Sequence, residues 1–356
     1  MTQPYVAIMA GGIGSRFWPA SRESRPKQFL DIVGTGRSLI RHTYERFARI
    51  TDPERILVVT NAAYRALVRE HVPELPAANV LCEPSRNNTA PSVAYTAFHI
   101  RARDPEATVV IAPSDHVIHK EEAFLTAVQV GCAFADRTGG LVTLGIDPTR
   151  PDTGYGYIKY GREAAAAGVY PVEAFREKPD ADTAQAYLRE GGYVWNAGIF
   201  IWRVDAVLAA FAEHAPQIYE TLDAGREAFG TAREDAFVAE AYPRTDEISV
   251  DYAIMERADN VYTIPADIGW SDLGTWASLH AYAEKDDEAN VVQGGRTVVI
   301  DAKNNLIRTD DAKLVVIRGL EDYIVVDEAD VLMIYPKAQE QEIKALTQSL
   351  GDRADL

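Results

Sequence analysis

Short apolar runs alternate along most of the chain with stretches whose apolar positions recur every three or four residues, the signatures of buried strands and amphipathic helices. Residues 5–9 read as a buried strand, 38–50 as a helix, 55–60 as a strand, 62–71 as a helix and 80–82 as a strand. Residues 89–103 predict a further helix, opened by Asn88 or Thr89 as its cap with Pro91 in the first turn. A strand over 108–112 follows and ends at Pro113-Ser114-Asp115-His116. Such alternation predicts an α/β fold with a mixed, mostly parallel sheet and helices on both faces. In open α/β sheets ligands bind beyond the carboxyl ends of strands, so Gly11, Glu83 and Asp115 are expected to converge on one cleft.

The pattern changes near the end. Runs at 297–300, 305–308, 314–317, 323–326 and 331–334 are short, β-rich and separated by Asp, Asn and Gly turns with no helix between them. They predict an all-β segment, closed by a helix over 340–350. Its boundary falls in the charged stretch 283–290, which divides the chain into residues 1–285 and 286–356.

Composition narrows the picture. With 356 residues and 47% hydrophobic content the chain can build a sizeable core without staples. No apolar run approaches the roughly 18 residues that cross a bilayer, and the N-terminus leads directly into a strand, so a cytoplasmic protein with no membrane partner is expected. Only Cys82 and Cys132 are present, which argues against a disulfide framework, and neither has metal-site spacing. The net charge of −17 argues against a nucleic-acid partner.

Against that acidic background, Arg16, Arg22, Arg25 and Lys27 oppose only Glu23 in the segment after the first strand. The segment begins Ala10-Gly11-Gly12-Ile13-Gly14-Ser15-Arg16. Glycines let backbone N–H groups approach phosphate oxygens, while an arginine fork and a lysine point charge neutralise them, a combination that suits a triphosphate. It is not the dinucleotide fingerprint, because Phe17 stands where a third glycine is needed. No Gly-Lys-Ser/Thr occurs, which excludes a P-loop.

Further polar residues punctuate the strand ends. Asp115 and Asp272, the latter in Gly269-Trp270-Ser271-Asp272, are candidate ligands of a phosphate-bridging magnesium ion, which takes one or two protein carboxylates; helix capping and turn formation are the commoner uses of a lone Asp. Lys178 follows a predicted strand stopped by Pro179 and suits a sugar phosphate, and Glu177 can accept from adjacent sugar hydroxyls. Asn196, in Trp195-Asn196-Ala197-Gly198, offers both a donor and an acceptor to a polyol. Gly154-Tyr155-Gly156-Tyr157-Ile158 reads either as a hairpin element or as backbone open to a sugar ring. No local context pairs a Ser or Cys nucleophile with a histidine. A phosphate monoester needs no general base, since with a second pKa near ~6 it is largely dianionic at neutral pH.

These motifs, in this order over residues 5 to about 282, resemble the mannose-1-phosphate guanylyltransferases (GDP-mannose pyrophosphorylases), a branch of the sugar nucleotidyltransferases. Pro26-Lys27-Gln28-Phe29-Leu30, Asn88-Thr89-Ala90-Pro91 and Pro113-Ser114-Asp115-His116 carry the likeness to that branch. The resemblance implies transfer of GMP from GTP to mannose 1-phosphate with Mg²⁺, on a Rossmann-like domain followed by a left-handed β-helical segment. It implies Arg16, Lys27, Asp115, Lys178 and Asp272 as the catalytic set and Asp115 with Asp272 as metal ligands. Nucleotide binding would fall to Gly11, Gly12, Gly14, Ser15, Arg16, Lys27, Glu83, Asn88, Ser114 and Asp115, with Glu83 accepting from guanine N1–H and its 2-amino group. Gly156, Glu177, Lys178, Asn196 and Gly198 would bind the sugar phosphate. A homodimer is the expected assembly.

Departures from the pattern are Phe17 for the usual Leu, Arg176 for Val, and Arg86-Asn87 ahead of Asn88. Some relatives carry a further isomerase domain; ending at Leu356, this chain is expected to lack that activity. Another sugar-1-phosphate nucleotidyltransferase, using UTP or dTTP with glucose 1-phosphate, and a non-catalytic sugar-nucleotide-binding homologue are the competing readings.

Overall fold

The computed structural model describes residues 3–310 and 312–351. Its strands and helices follow one another as β1 (Tyr5–Met9), α1 (Leu39–Phe47), β2 (Ile56–Asn61), α2 (Arg65–His71), β3 (Val80–Glu83), α3 (Thr89–Arg103), β4 (Thr108–Pro113), β5 (Val117–Ile118), α4 (Glu121–Thr138) and β6 (Leu141–Ile146). Next come β7 (Tyr157–Tyr160), β8 (Tyr170–Arg176), α5 (Ala181–Glu190), β9 (Tyr193–Arg203), α6 (Val204–His214), α7 (Pro216–Asp223), α8 (Glu234–Ala241), β10 (Val261–Pro265) and β11 (Trp270–Ser271). The chain closes with α9 (Trp276–Tyr282), β12 (Val291–Gln293), β13 (Thr297–Ile300), β14 (Leu306–Arg308), β15 (Val315–Arg318), β16 (Tyr323–Asp327), β17 (Leu332–Pro336) and α10 (Ile343–Leu350). Among the described residues no helix is long and apolar enough to cross a membrane.

Packing divides the chain into two compact units. Among the described residues, the first comprises those within 1–11, 44–114 and 118–270, and the second those within 12–43, 115–117 and 271–351.

The first unit is built on a nine-stranded sheet in the order β3-β2-β1-β4-β9-β6-β10-β8-β7. Strands β3, β2, β1 and β4 run parallel, whereas the long β9 pairs antiparallel with β4, β6 and β7, so the sheet is mixed. Register aligns the carboxyl ends of β1 and β4, with Met9 opposite Pro113, and Val59 lies opposite Met9 on the other side. Ser114 N then donates to Met9 O at 3.0 Å. Gly11 and Ser114 therefore leave the sheet from neighbouring strand ends, and Glu83 ends β3, two strands out from β1 on the other side. Helix α3 is apolar nearly all round, with residues 90–100 buried, which suits a helix enclosed between a sheet and other helices. Its residues Val93, Ala97 and Phe98 share a core with Leu57, Val109, Trp202 and Phe211.

The second unit contains the all-β segment. Val291, Leu306 and Ile324 lie opposite one another in parallel strands β12, β14 and β16, and β13 pairs parallel with β15. Parallel neighbours linked without helices form a coil of short rungs. Its corners use buried asparagines: Asn305 Nδ2 donates to Asn290 Oδ1 at 2.9 Å, and Asn305 Oδ1 accepts from Tyr323 N at 2.9 Å. The core of this coil, Leu306, Ile324 and Val326, is continuous with Phe17, Trp18, Leu39, Trp276, Leu279 and Ile343. The closing segment is a tight turn over Lys337–Glu342 before α10, so the helix begins later than the expected 340.

Candidate active site

In the second unit the loop after β1 is shaped by Gly14, whose φ of 75° lies in the left-handed region that favours glycine. A Cβ there would stand 2.5 Å from Lys27 Cβ, so the glycine also makes room for the lysine stem. The loop is held by Gln28 Nε2 donating to Gly12 O at 2.9 Å, Lys27 N to Ile13 O at 3.1 Å and Ser21 Oγ to Ile13 O at 2.5 Å. Ser15 and Arg16 sit on the turn Ser15–Phe17 that follows, Arg16 exposed. A Cβ on Gly12 would meet no atom within 4 Å.

Lys27 is buried, with Nζ donating to Asp115 Oδ2 at 2.9 Å and to the Asp272 carbonyl at 2.8 Å. Burial alone would raise the Asp115 carboxyl, but the neighbouring Lys27 and His116 charges hold it below the usual carboxylate range. Asp272 Oδ1 accepts from Gly274 N at 3.1 Å, fixing its side chain over a turn. Three residues far apart in sequence, 27, 115 and 272, thus form one cluster in which the ammonium ties the two aspartates together.

The remaining expected residues lie in the first unit and form two groups. In one, Gly11 faces Glu83: a Cβ on the glycine would stand 3.2 Å from Glu83 Oε2. Glu83 is buried, and its Oε1 accepts from both Ser92 Oγ and Tyr242 OH. Burial pushes the Glu83 carboxyl up, and those two hydrogen bonds pull it back only in part. Asn88, at φ 68°, caps α3 through Oδ1, which accepts from Thr89 N at 2.9 Å. Asn87 straps the loop to the chain at 242–245, donating from Nδ2 to the carbonyls of Tyr242 at 3.2 Å and Thr245 at 3.0 Å.

The other group gathers Gly156, Glu177, Lys178, Asn196 and Gly198. Asn196 N donates to Gly156 O at 2.8 Å, and a Cβ on Gly156 would stand 2.5 Å from Glu177 Oε2. Lys178 adopts φ 47°, sparsely populated for a lysine, and its Nζ pairs with Glu177 Oε1. Asn196 Oδ1 accepts from Gly198 N at 3.1 Å, and Asn196 Nδ2 donates to Asp251 Oδ1 at 2.9 Å. Sequence reasoning does not single out Asp251. It lies on a π-helical turn, Asp251–Met255, and its carboxyl is pushed up to about 7 by burial and by Glu177, against the opposing pull of Lys178 and Asn196. A lone Asp between Val250 and the apolar Ala253-Ile254-Met255 is the available signal; for Ser92 and Tyr242, partners of Glu83, local pattern holds none.

A strand-end glycine loop with a buried lysine and two aspartates, together with a sheet whose strand ends carry carboxylates and amides, defines a class. The chain belongs to the nucleotidyl transferase family, which matches residues 5–289. Residues 295–350 match the MannoseP isomerase/GMP-like beta-helix domain. The chain is 38% identical over 350 residues to the xanthan biosynthesis protein XanB of Xanthomonas campestris pv. campestris (strain B100), covering 96% of this chain and 72% of that one. It is 36% identical to the mannose-1-phosphate guanylyltransferase of Salmonella muenchen over 98% of this chain and 74% of that protein. A crystal structure described as mannose-1-phosphate geranyltransferase, from Thermus thermophilus, superposes with a TM-score of 0.88 at 32% identity, covering 98% of this chain and 99% of that one.

Proposed function

We propose that this chain transfers GMP from GTP to α-D-mannose 1-phosphate, giving GDP-mannose and pyrophosphate. A phosphate oxygen of the sugar phosphate attacks the α-phosphorus of GTP, and the bond to the β-phosphate breaks as pyrophosphate leaves. The observation that carries this reading is the Lys27–Asp115–Asp272 cluster: one buried ammonium and two aspartates assembled from three distant segments. The names borne by relatives that match nearly the whole chain support it.

In this reading the backbone N–H groups of Gly11, Gly12, Gly14 and Ser15, with Arg16, receive the triphosphate, and the exposed position of Arg16 and the open space at Gly12 favour that use. Lys27 directs two of its three N–H bonds to the aspartates and keeps one for a phosphate oxygen. Glu83 Oε2 accepts from guanine, which has the N1–H and 2-amino donors that uracil and thymine lack; Asn88 and Ser114 complete the nucleotide contacts. Lys178 neutralises the sugar phosphate, and Glu177, Asn196, Gly156 and Gly198 hold the sugar. No general base is invoked, because the attacking phosphate is already dianionic.

Asp115 and Asp272 fit a magnesium ion. Asp115 is held ionised, both side chains offer hard oxygen donors, and among the described residues no His, Cys, Asp or Glu triad encloses a cation without help from a substrate. Mg²⁺ leaves most of its coordination to water and phosphates, so two carboxylates suffice; bound there, it would offset phosphate charge and make the α-phosphorus more electrophilic.

We assign catalysis to residues 1–285, with 286–356 as the β-helical segment. We also propose a homodimer, for which the exposed Val298, Ile300, Leu314 and Val316 offer an apolar surface; sedimentation as a monomer at micromolar concentration would set the dimer aside. Two free thiols, Cys82 and Cys132, accord with a reducing, cytoplasmic setting.

The test is pyrophosphate release across a grid of nucleoside triphosphates and sugar 1-phosphates, with and without EDTA. GTP with mannose 1-phosphate should give the highest kcat/KM and EDTA should silence it. A maximum at UTP or dTTP with glucose 1-phosphate would point to a different transferase, and silence across the grid to a non-catalytic homologue.

A further inference from the structure

The group around Asn196 contains an imbalance. As an isolated side chain, asparagine offers a polyol one acceptor and two donor hydrogens. Here the acceptor is turned into the sheet: Asn196 Oδ1 takes the Gly198 N–H at 3.1 Å and lies 3.2 Å from the hydroxyl of fully buried Thr143. One amide hydrogen is committed to Asp251 Oδ1. Asn196 is left with a single N–H to present.

The orientation of this amide is fixed by chemistry, since Gly198 N can only donate and must face the amide oxygen. The Asp251 oxygen facing Nδ2 must therefore accept. Glu177 Oε1 is taken by Lys178. Among the described residues, no other residue donates a hydrogen bond to Asp251 Oδ2 or Glu177 Oε2, and the second of these is pressed against Gly156. A sugar hydroxyl needs an acceptor for its proton as well as a donor for its oxygen, and Asp251 is where that acceptor stands. Its carrier supports the assignment: π-helical turns are rare and gather at functional sites.

We propose that Asp251 is a specificity-determining residue that reads a sugar hydroxyl, holding Asn196 with one carboxylate oxygen and offering the other to the ring. The proposal rests on the functional reading above and deepens it. The Asn196 N–H donates to the hydroxyl oxygen while Asp251 Oδ2 accepts a hydrogen bond from the hydroxyl, a two-way contact that a site lacking either partner cannot make.

Asp251→Asn separates this role from a merely structural one. Its side-chain carbonyl can still accept from Asn196, which preserves the amide orientation, but its other end becomes a donor and the acceptor is lost. At pH 8.5, above the value of about 7 to which the Asp251 carboxyl is pushed, the expected result is a rise in KM for mannose 1-phosphate of about ten- to a hundredfold, the value of a hydrogen bond to a charged group, with KM for GTP and the urea midpoint unchanged. Deoxy analogues of mannose 1-phosphate complete the experiment: one of them should raise the wild-type KM by a similar factor and add no further loss in the variant. An unchanged sugar-phosphate KM in Asp251→Asn overturns the proposal. So does a wild-type enzyme indifferent to every single deoxygenation, a result that decides the matter even where the variant fails to fold. Wild-type silence with every sugar 1-phosphate would instead defeat the functional reading itself.

Discussion

At the scale of single residues, Lys27 neutralises one aspartate while fixing the backbone of another. Replacing it by Met leaves the Asp115 carboxylate without its ion-pair partner, and breaking a largely buried pair costs about 3 kcal/mol. The loss should depend on pH. The folded-state pKa of Asp115 lies below its ordinary value, so the pair's contribution is fully present above that ordinary value and disappears as pH falls through the lowered one. Urea denaturation of wild type and Lys27→Met should therefore diverge at neutral pH and converge in acid; a difference that does not shrink in acid would contradict this. Glycines in the same loop separate fold from binding. Gly14→Ala must place a Cβ at positive φ and 2.5 Å from Lys27 Cβ, and should cost about 1–2 kcal/mol or more, together with activity. Gly12→Ala meets nothing, so its stability should hold while KM for GTP rises, since in the proposed site a methyl there would intrude only on a phosphate; an unchanged KM would remove Gly12 from the triphosphate site.

Elements explain why those residues stand where they do. The loop from Glu83 to α3 is anchored by Asn87, whose amide serves the chain at 242–245 while Glu83 takes the hydroxyl of Tyr242. Asn87→Ala strands buried carbonyls and should lower stability by about 1–3 kcal/mol. It should also raise KM for GTP more than KM for mannose 1-phosphate, a split that equal effects on both substrates would refute. Local pattern revealed much at this scale. The stretches 5–9 and 89–103 match β1 and α3, because a buried parallel strand and a capped helix advertise themselves in apolar runs and start signals. The β-rich rungs were legible from turn spacing. Tyr242 and Asp251 were not, since what makes them matter is a partner 159 residues away for Tyr242 and 55 residues away for Asp251, and no local periodicity records that distance. The sense of the Asn196 amide was equally hidden: composition supplies its donors and acceptor, and only packing decides which of them face inward.

On the scale of the whole molecule, the C-terminal coil is more than an appendage to a catalytic domain. Within the second unit, Phe17 of the glycine loop packs on Trp276 with ring centroids 4.7 Å apart, and both share a core with Leu306, Ile324 and Ile343. The chain's two ends thus stabilise each other, and α10 packs against the turn that carries Arg16. Ile343→Ala, a large-to-small change at a fully buried site, should cost about 2–5 kcal/mol and lower kcat although it lies far along the chain from every proposed site residue. Retention of full kcat at unchanged stability would show that the closing helix is dispensable to the loop.

The central claim is that Asp115 and Asp272, tied through Lys27, hold the metal-assisted transfer of GMP. Single-turnover pyrophosphate release from GTP and mannose 1-phosphate, measured for Asp115→Asn and Asp272→Asn beside wild type at saturating Mg²⁺, tests it most directly. Each variant should stay folded and lose on the order of a thousandfold in rate. Folded variants that release pyrophosphate as fast as wild type would contradict the account.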